Sequence, residues 1–185
     1  FPVEAIARMV GDGAAVLVRR ALADAGLRVA SAREALQRFL TLYDERLLVS
    51  TRLYDGMADA IDELAAVGQL AVLTNKPEDP TRRILNGLGV SPKFKWVIGG
   101  DGSFPRKPDP AGLQHLMEMA GRAGERSVMI GDSAVDLATA RAAGTRVCLA
   151  RYGFGYRVAA ADLHGDELIV DSPREIVARL GESFL

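Results

Sequence analysis

The apolar residues of this chain change their period once, near residue 50. Before that point they recur at helical spacing, and no stretch alternates as a half-buried strand would. Ile6, Met9 and Val10 fit a short helix opened by Pro2. Gly11-Asp12-Gly13 breaks it, and Asp12 can cap the next helix, Ala14 to Ala25, which Gly26 stops. Ser31 and Glu34 stand in capping-box register for a third helix. Along it Leu36, Phe39, Leu40, Tyr43, Leu47 and Leu48 form an apolar stripe. Residues 51–56, TRLYDG, carry no stripe and end on an Asp-Gly turn signal.

From Met57 the pattern alternates between helices and short apolar runs. A helix over 57–67 ends at Gly68, and a strand over 69–73 runs into Thr74-Asn75-Lys76-Pro77. Asp79 and Pro80 open a helix as cap and first-turn proline. A strand over 95–98 leads to the polar loop GGDGSFPRKPDP, after which Asp109 and Pro110 start a helix through Ala123. The stretch SVMIGDSAVDLATARAAG, Ser127 to Gly144, reads as a buried strand, a turn at Gly131 and a helix. Strands over 145–150 and 167–170 follow, then a capping box at Ser172 and Glu175 and a last helix to about Leu180. Repeated strand–helix units of this length predict an α/β fold built on a doubly wound parallel sheet. The domains expected are a small all-helical cap over 1–50, a hinge over 51–56 and an α/β core over 57–185. A plain structural helical subdomain is the alternative for the first.

Composition changes this picture little. A hydrophobic fraction of 49% and a charged fraction of 25% suit a chain with a sizeable core. A net charge of −1 gives no global field toward nucleic acid or an acidic membrane, so neither is expected as a partner. No run reaches the roughly 18 to 20 apolar residues that span a bilayer, and the start FPVEAIARMV lacks signal-peptide features. The single cysteine, Cys148, lies in the apolar run TRVCLA, where a buried thiol is expected. The expectation is a cytoplasmic monomer or homodimer.

Candidate chemistry follows the strands. Asp132 falls just past one strand, at the edge where open parallel sheets bind ligands, and Asp136 comes about one helical turn later. Two acids aimed at one crevice call for a cation or a proton between them, and hard oxygen ligands suggest Mg²⁺. Equally open is that Asp132 caps the helix while Asp136 is solvated. The hydroxyl of Thr74, the amide of Asn75 and nearby N–H groups can hold phosphate oxygens. An ammonium at Lys107 would offset phosphate charge. His115 and His164 have no ligand-spaced partner, Trp96 reads as a packing residue, and Arg19-Arg20 and Arg82-Arg83 read as solvated faces.

Thr74-Asn75, Lys107-Pro108 and Gly131-Asp132-Ser133-x-x-Asp136 together resemble the second, third and fourth motifs of the haloacid dehalogenase (HAD) superfamily. The helical first third resembles its cap, and the core its Rossmann-like fold. LTNKP, GGDGSFPRKPDP and VGDGAAVLVRRAL are similar to the phosphoglycolate phosphatase branch. The resemblance implies a Mg²⁺-dependent phosphatase of a small-molecule phosphate ester, 2-phosphoglycolate foremost. It implies catalytic roles for Thr74, Asn75 and Lys107, and metal binding by Asp132 and Asp136. Gly11, Asp12, Gly13, Lys76 and Ser133 would contact substrate.

The superfamily's first motif, an apolar strand followed by Asp-x-Asp, has no counterpart in the sequence. Asp55-Gly56-Met57 and Asp101-Gly102-Ser103 match only its tail. The expectation is that this strand precedes Phe1 and lies between the Leu70 and Val128 strands, so the chain alone would be inactive. A sugar phosphomutase and a non-catalytic ligand- or protein-binding member stay open as alternatives. A dehalogenase would not need the acid pair, and a Gly-x-Gly-x-x-Gly dehydrogenase opening is absent.

Overall fold

A computed structural model describes residues 1–27, 32–122 and 124–184. Its first third is helical: α1 (Val3–Met9), α2 (Ala14–Asp24) and α3 (Ala32–Glu45), with α2 packed on both of the others. Gly26, at φ 68°, ends α2 where the pattern placed the stop. Asp12 does not cap α2; Gly13 holds that position without a side-chain bond, and Asp12 pairs with Arg20 at 2.6 Å. The Ser31 capping box lies outside the described residues. The stripe expected from Leu36 to Leu48 is cut short, because α3 ends at Glu45 and Leu47 and Leu48 follow in turns. Leu47 is buried there, yet α3 itself buries no residue fully, and Leu40 is 36% exposed. A stripe on a three-helix layer covers only what the neighbouring helix can reach.

The remaining elements alternate: α4 (Met57–Val67), β1 (Leu70–Leu73), α5 (Glu78–Gly87), β2 (Phe94–Ile98), α6 (Ala111–Ala120), β3 (Val128–Gly131), α7 (Ala134–Ala143), β4 (Arg146–Ala150), β5 (Leu168–Val170) and α8 (Pro173–Phe184). Among the described residues all strand pairings are parallel, as expected for an α/β core. They form two sheets, β1–β2 and β3–β4–β5. Among the described strands β1 is hydrogen-bonded only to β2, and β3 only to β4. Ile130, inside β3, is 40% exposed.

The core is organised by the two-residue period of β4. Val147 and Leu149 point to one face and pack with Met129 of β3 and with Leu137 and Ala140 of α7. Cys148 and Ala150 point to the other and pack with Val170, Ile176 and Leu180, with Met57 and Leu64 of α4 alongside. A strand buried on both faces reads as a continuous apolar run, which VCLA is. Burial pushes the Cys148 thiol up to about 11, outweighing the opposing pull of Arg179.

One helix start and one helix end differ from the expectation. α5 begins at Glu78, so Asp79 lies inside its first turn; the Glu78 N–H donates instead to Asp101 Oδ1 at 2.7 Å. A carboxylate from the loop after β2 thereby supplies the anion favoured at that helix end. α6 starts after Pro110 and stops at Gly121, short of Ala123, with Asp109 Oδ1 accepting the Ala111 N–H at 2.9 Å. No described helix is long and apolar enough to cross a membrane.

Candidate functional site

The loop after β1 carries Thr74, Asn75 and Lys76. Thr74 continues the ladder by donating its N–H to Ile98 O at 3.0 Å, and its hydroxyl oxygen accepts the Lys76 N–H at 3.1 Å. Accepting that bond leaves the Thr74 hydroxyl its own proton to donate. Asn75 is buried, 6% exposed, and its Nδ2 donates to Gly11 O at 3.1 Å and to Lys107 O at 3.0 Å. One side-chain amide therefore ties the helical layer, the loop after β1 and the loop after β2. Its Oδ1 has no hydrogen-bond partner, alone among the buried side-chain oxygens and nitrogens of the described residues. Gly100 closes this junction: its N–H donates to Lys76 O at 2.8 Å, and a Cβ there would lie 2.4 Å from Asn75 O.

Lys107 reaches from the loop after β2 to the start of α7, where its Nζ meets Asp136 Oδ1 at 2.7 Å. Asp136 Oδ2 accepts from the N–H of Asp132 and of Ser133, both at 3.1 Å, and from the Ser133 hydroxyl at 2.6 Å. The Asp136 N–H donates in turn to Ser133 Oγ at 3.3 Å, completing a capping box. Ser133, in extended conformation at φ −134° and ψ 160°, is the cap. The alternative in which Asp132 caps and Asp136 is solvated is overturned on both counts, since Asp136 is 5% exposed. Burial pushes its carboxyl up, but Lys107, Ser133 and the Asp132 N–H outweigh that and hold it below its ordinary value.

Asp132 stands apart from this network at its side chain. Its Oδ2 accepts the Gly155 N–H at 2.9 Å, whereas its Oδ1 accepts no hydrogen bond from the described residues. Gly153 lies so close that a Cβ on it would come within 2.3 Å of Asp132 Cβ. The loop after β4 thus folds over the carboxylate, held in part by the Phe154 N–H donating to Tyr54 Oη at 3.1 Å and by Tyr152 set edge-on to the Tyr54 ring. Sequence reasoning missed Gly153, Gly155 and Tyr54. The run GFG just beyond a strand was the available signal, since glycines there permit close backbone approach.

Asn75, Lys107, Asp136, Ser133 and Asp132 are joined by one continuous chain of hydrogen bonds, with Thr74 one residue from its start. Gly11 joins it through its carbonyl. Gly13 lies beside Arg106, whose guanidinium would meet a Cβ there at 2.7 Å and whose Nε donates to Gly100 O. Asp12 is turned away to Arg20. The Lys76 ammonium is held by the Tyr43 hydroxyl of α3 and sits 4.7 Å from that ring's centroid.

Residues 1–144 match the haloacid dehalogenase-like hydrolase family. A phosphoglycolate phosphatase of Rhodospirillum rubrum is 43% identical over 157 residues, 81% of this chain and 65% of that protein. One from Pseudomonas putida is 37% identical over 179 residues, 94% of this chain and again 65% of the relative. The chain therefore spans just under two thirds of the length of these relatives. A crystal structure described as a predicted phosphoglycolate phosphatase, from Haemophilus somnus, superposes with a TM-score of 0.85 at 29% identity, covering 95% of this chain and 80% of that one. With residues 1–144 matched, this chain belongs to the haloacid dehalogenase-like hydrolases.

Proposed function

We propose that the protein is a Mg²⁺-dependent phosphomonoesterase of small phosphorylated metabolites, with 2-phosphoglycolate the favoured substrate. The observation that carries this reading is the hydrogen-bonded chain from Asn75 through Lys107 to Asp136 and Asp132, which gathers three loops at one edge of the strands. The relatives' activity and the length of chain they share with this protein point the same way.

The donor set fits the metal. Mg²⁺ is held by one or two carboxylates and keeps several waters. Asp132 offers a carboxylate oxygen with no hydrogen bond from the described residues, at the strand edge. Asp136 has both oxygens engaged, so in this reading it supports the site through Lys107 and Ser133. When bound, Mg²⁺ supplies positive charge against the phosphoryl oxygens and the attacking group.

Thr74 donates its hydroxyl proton to a phosphoryl oxygen. Lys107, fixed by Asp136, presents charge that needs no reorganisation during transfer. The helical layer over residues 1–50 acts as a cap that limits water and selects the leaving group, moving on the hinge over 51–56. Phosphoryl transfer to the aspartate of the family's first motif, which has no counterpart in this sequence, followed by hydrolysis, completes the reaction in this reading. A buried Cys148 suits a reducing cytoplasm.

Phosphate release by the full-length protein, measured across a panel of phosphate esters, tests the proposal. The expected result is turnover led by 2-phosphoglycolate and lowered by about 100-fold or more in Thr74→Val, the scale of losing a preorganised donor. No release from any ester contradicts it.

A further inference from the structure

The loop after β4 meets Asp132 at its tip, residues 153–155. On either side of the tip, Tyr152 and Tyr156 pack against the two core clusters. The turn between them closes through the Gly153 N–H to Ala150 O at 3.0 Å and the Tyr156 N–H to Gly153 O at 3.1 Å. The ring of Phe154 is 53% exposed, so burial of that side chain does not secure the tip. Its N–H donates instead to Tyr54 Oη at 3.1 Å, across 100 residues of sequence. The next N–H, that of Gly155, donates to Asp132 Oδ2 at 2.9 Å. A Cβ on Gly155 would lie 3.0 Å from both carboxylate oxygens. Two adjacent peptide planes, each rigid, therefore link Tyr54 to Asp132.

Tyr54 is not placed there by burial, being 48% exposed itself. Its ring stands edge-on to Tyr152 with centroids 5.1 Å apart. Its carbonyl accepts the Met57 N–H at 2.9 Å, which fixes it to the start of α4, and Met57 packs against the core. At the other end of the connecting stretch, Thr51 Oγ1 donates to Leu47 O at 2.7 Å. The segment that joins the helical layer to the core thus carries, at its core end, the residue that holds the loop over Asp132.

Building on the Mg²⁺ reading above, we propose that Tyr54 is a positioning residue for Asp132. Its hydroxyl oxygen fixes the Phe154 amide, and the Gly155 amide then orients Oδ2. That leaves Oδ1, which accepts no hydrogen bond from the described residues, to the metal. The metal carboxylate and the stretch over 51–56 are coupled through this one bond.

The test is calorimetric titration of Mg²⁺ into the full-length protein, Tyr54→Phe, Gly153→Ala and the double variant. Amide hydrogen exchange at Gly155 is followed by NMR in the metal-free unaltered protein and Tyr54→Phe. Tyr54→Phe keeps the ring and removes only the hydroxyl. It is expected to weaken Mg²⁺ binding by about 3–10-fold, the scale of one neutral hydrogen bond. The Gly155 amide should exchange faster by a similar factor, although its acceptor is untouched. The double variant should lose little more than Gly153→Ala alone, since both changes reach Asp132 through the same loop. Unchanged Mg²⁺ affinity or unchanged Gly155 exchange in Tyr54→Phe, or losses that multiply fully in the double variant, would overturn the assignment. If the unaltered protein binds no Mg²⁺, the metal reading is what fails. Exchange at Gly155 then decides separately whether Tyr54 holds the carboxylate, with an unchanged rate overturning its role.

Discussion

Lys107 and Asp136 lie 29 residues apart in sequence and meet at 2.7 Å with side chains only 13% and 7% exposed. Burying either charge alone is costly, and the pair is tolerated because Asp136 Oδ2 accepts three further hydrogen bonds. The contact also pins the loop after β2 to the first turn of α7. The same ion pair is therefore part of the fold and part of the proposed site.

Breaking it from one side leaves a buried charge behind. Lys107→Met is expected to destabilise the protein by about 3–5 kcal/mol, with Lys107→Met/Asp136→Leu recovering a substantial part. Urea unfolding of the two variants checks this. Equal losses in both would mean that the charges matter less than the packing around them.

Acid should weaken the fold in a defined window. Burial pushes the Glu167 carboxyl up, but the His164 N–H, Arg141 and the Gly165 N–H prevail and hold it at about 2, down from 4.5. Asp136 is likewise held below 3.8. Both folded values are depressed, so their stabilisation is present above the unfolded values and is lost as pH falls through the folded ones. Stability should drop from about pH 4.5 toward 2, and Glu167→Gln should flatten part of that fall. Thermal midpoints at a series of pH values report it; an unchanged slope in Glu167→Gln would argue against it.

Gly153 is needed for close approach, since its φ is unexceptional while a Cβ would collide with Asp132 Cβ at 2.3 Å. Gly153→Ala should displace the carboxylate and weaken Mg²⁺ binding by about 10–100-fold, the scale of an outer-shell change. Calorimetric titration of Mg²⁺ into the variant checks this. Gly181, with open space around it, gives the control position.

Cys148 is fully buried between β4 and α8, and its thiol is pushed up to about 11. A thiol reagent at pH 8 should label it at least about a hundredfold more slowly in the native protein than in urea, because access requires opening of the core. Rapid native labelling would place it nearer the surface.

Much of the core was legible because its signals are local. The apolar run VMI, the turn glycine at 131 and the glycine at 144 specify β3, the corner and α7 within eighteen residues. What the spacing could not show was which of Asp132 and Ser133 caps the helix. That depends on backbone angles at one residue, and Ser133 takes the extended conformation. Nor could it show Asp136 drawn inward, because the cation responsible arrives from another loop. The strand pattern alone predicted parallel pairing but not which strands are neighbours, since apolar runs do not encode them. A gap between β1–β2 and β3–β4–β5 was expected only from the resemblance, which places a further strand between the Leu70 and Val128 strands. The stripe through Leu48 overran α3 because turn residues after Glu45 can also be apolar when one of them, Leu47, is buried.

The central claim is that Asp132, held by the Gly155 N–H, and Lys107, held by Asp136, manage phosphate charge together with Mg²⁺. The most direct measurement is phosphate release from 2-phosphoglycolate by the full-length protein before chelation, after EDTA treatment and after Mg²⁺ is restored. The account predicts loss on chelation and recovery on restoration, with Asp132→Asn failing to recover at the same Mg²⁺ concentration. Undiminished turnover in the chelator, or full recovery in Asp132→Asn, would contradict it.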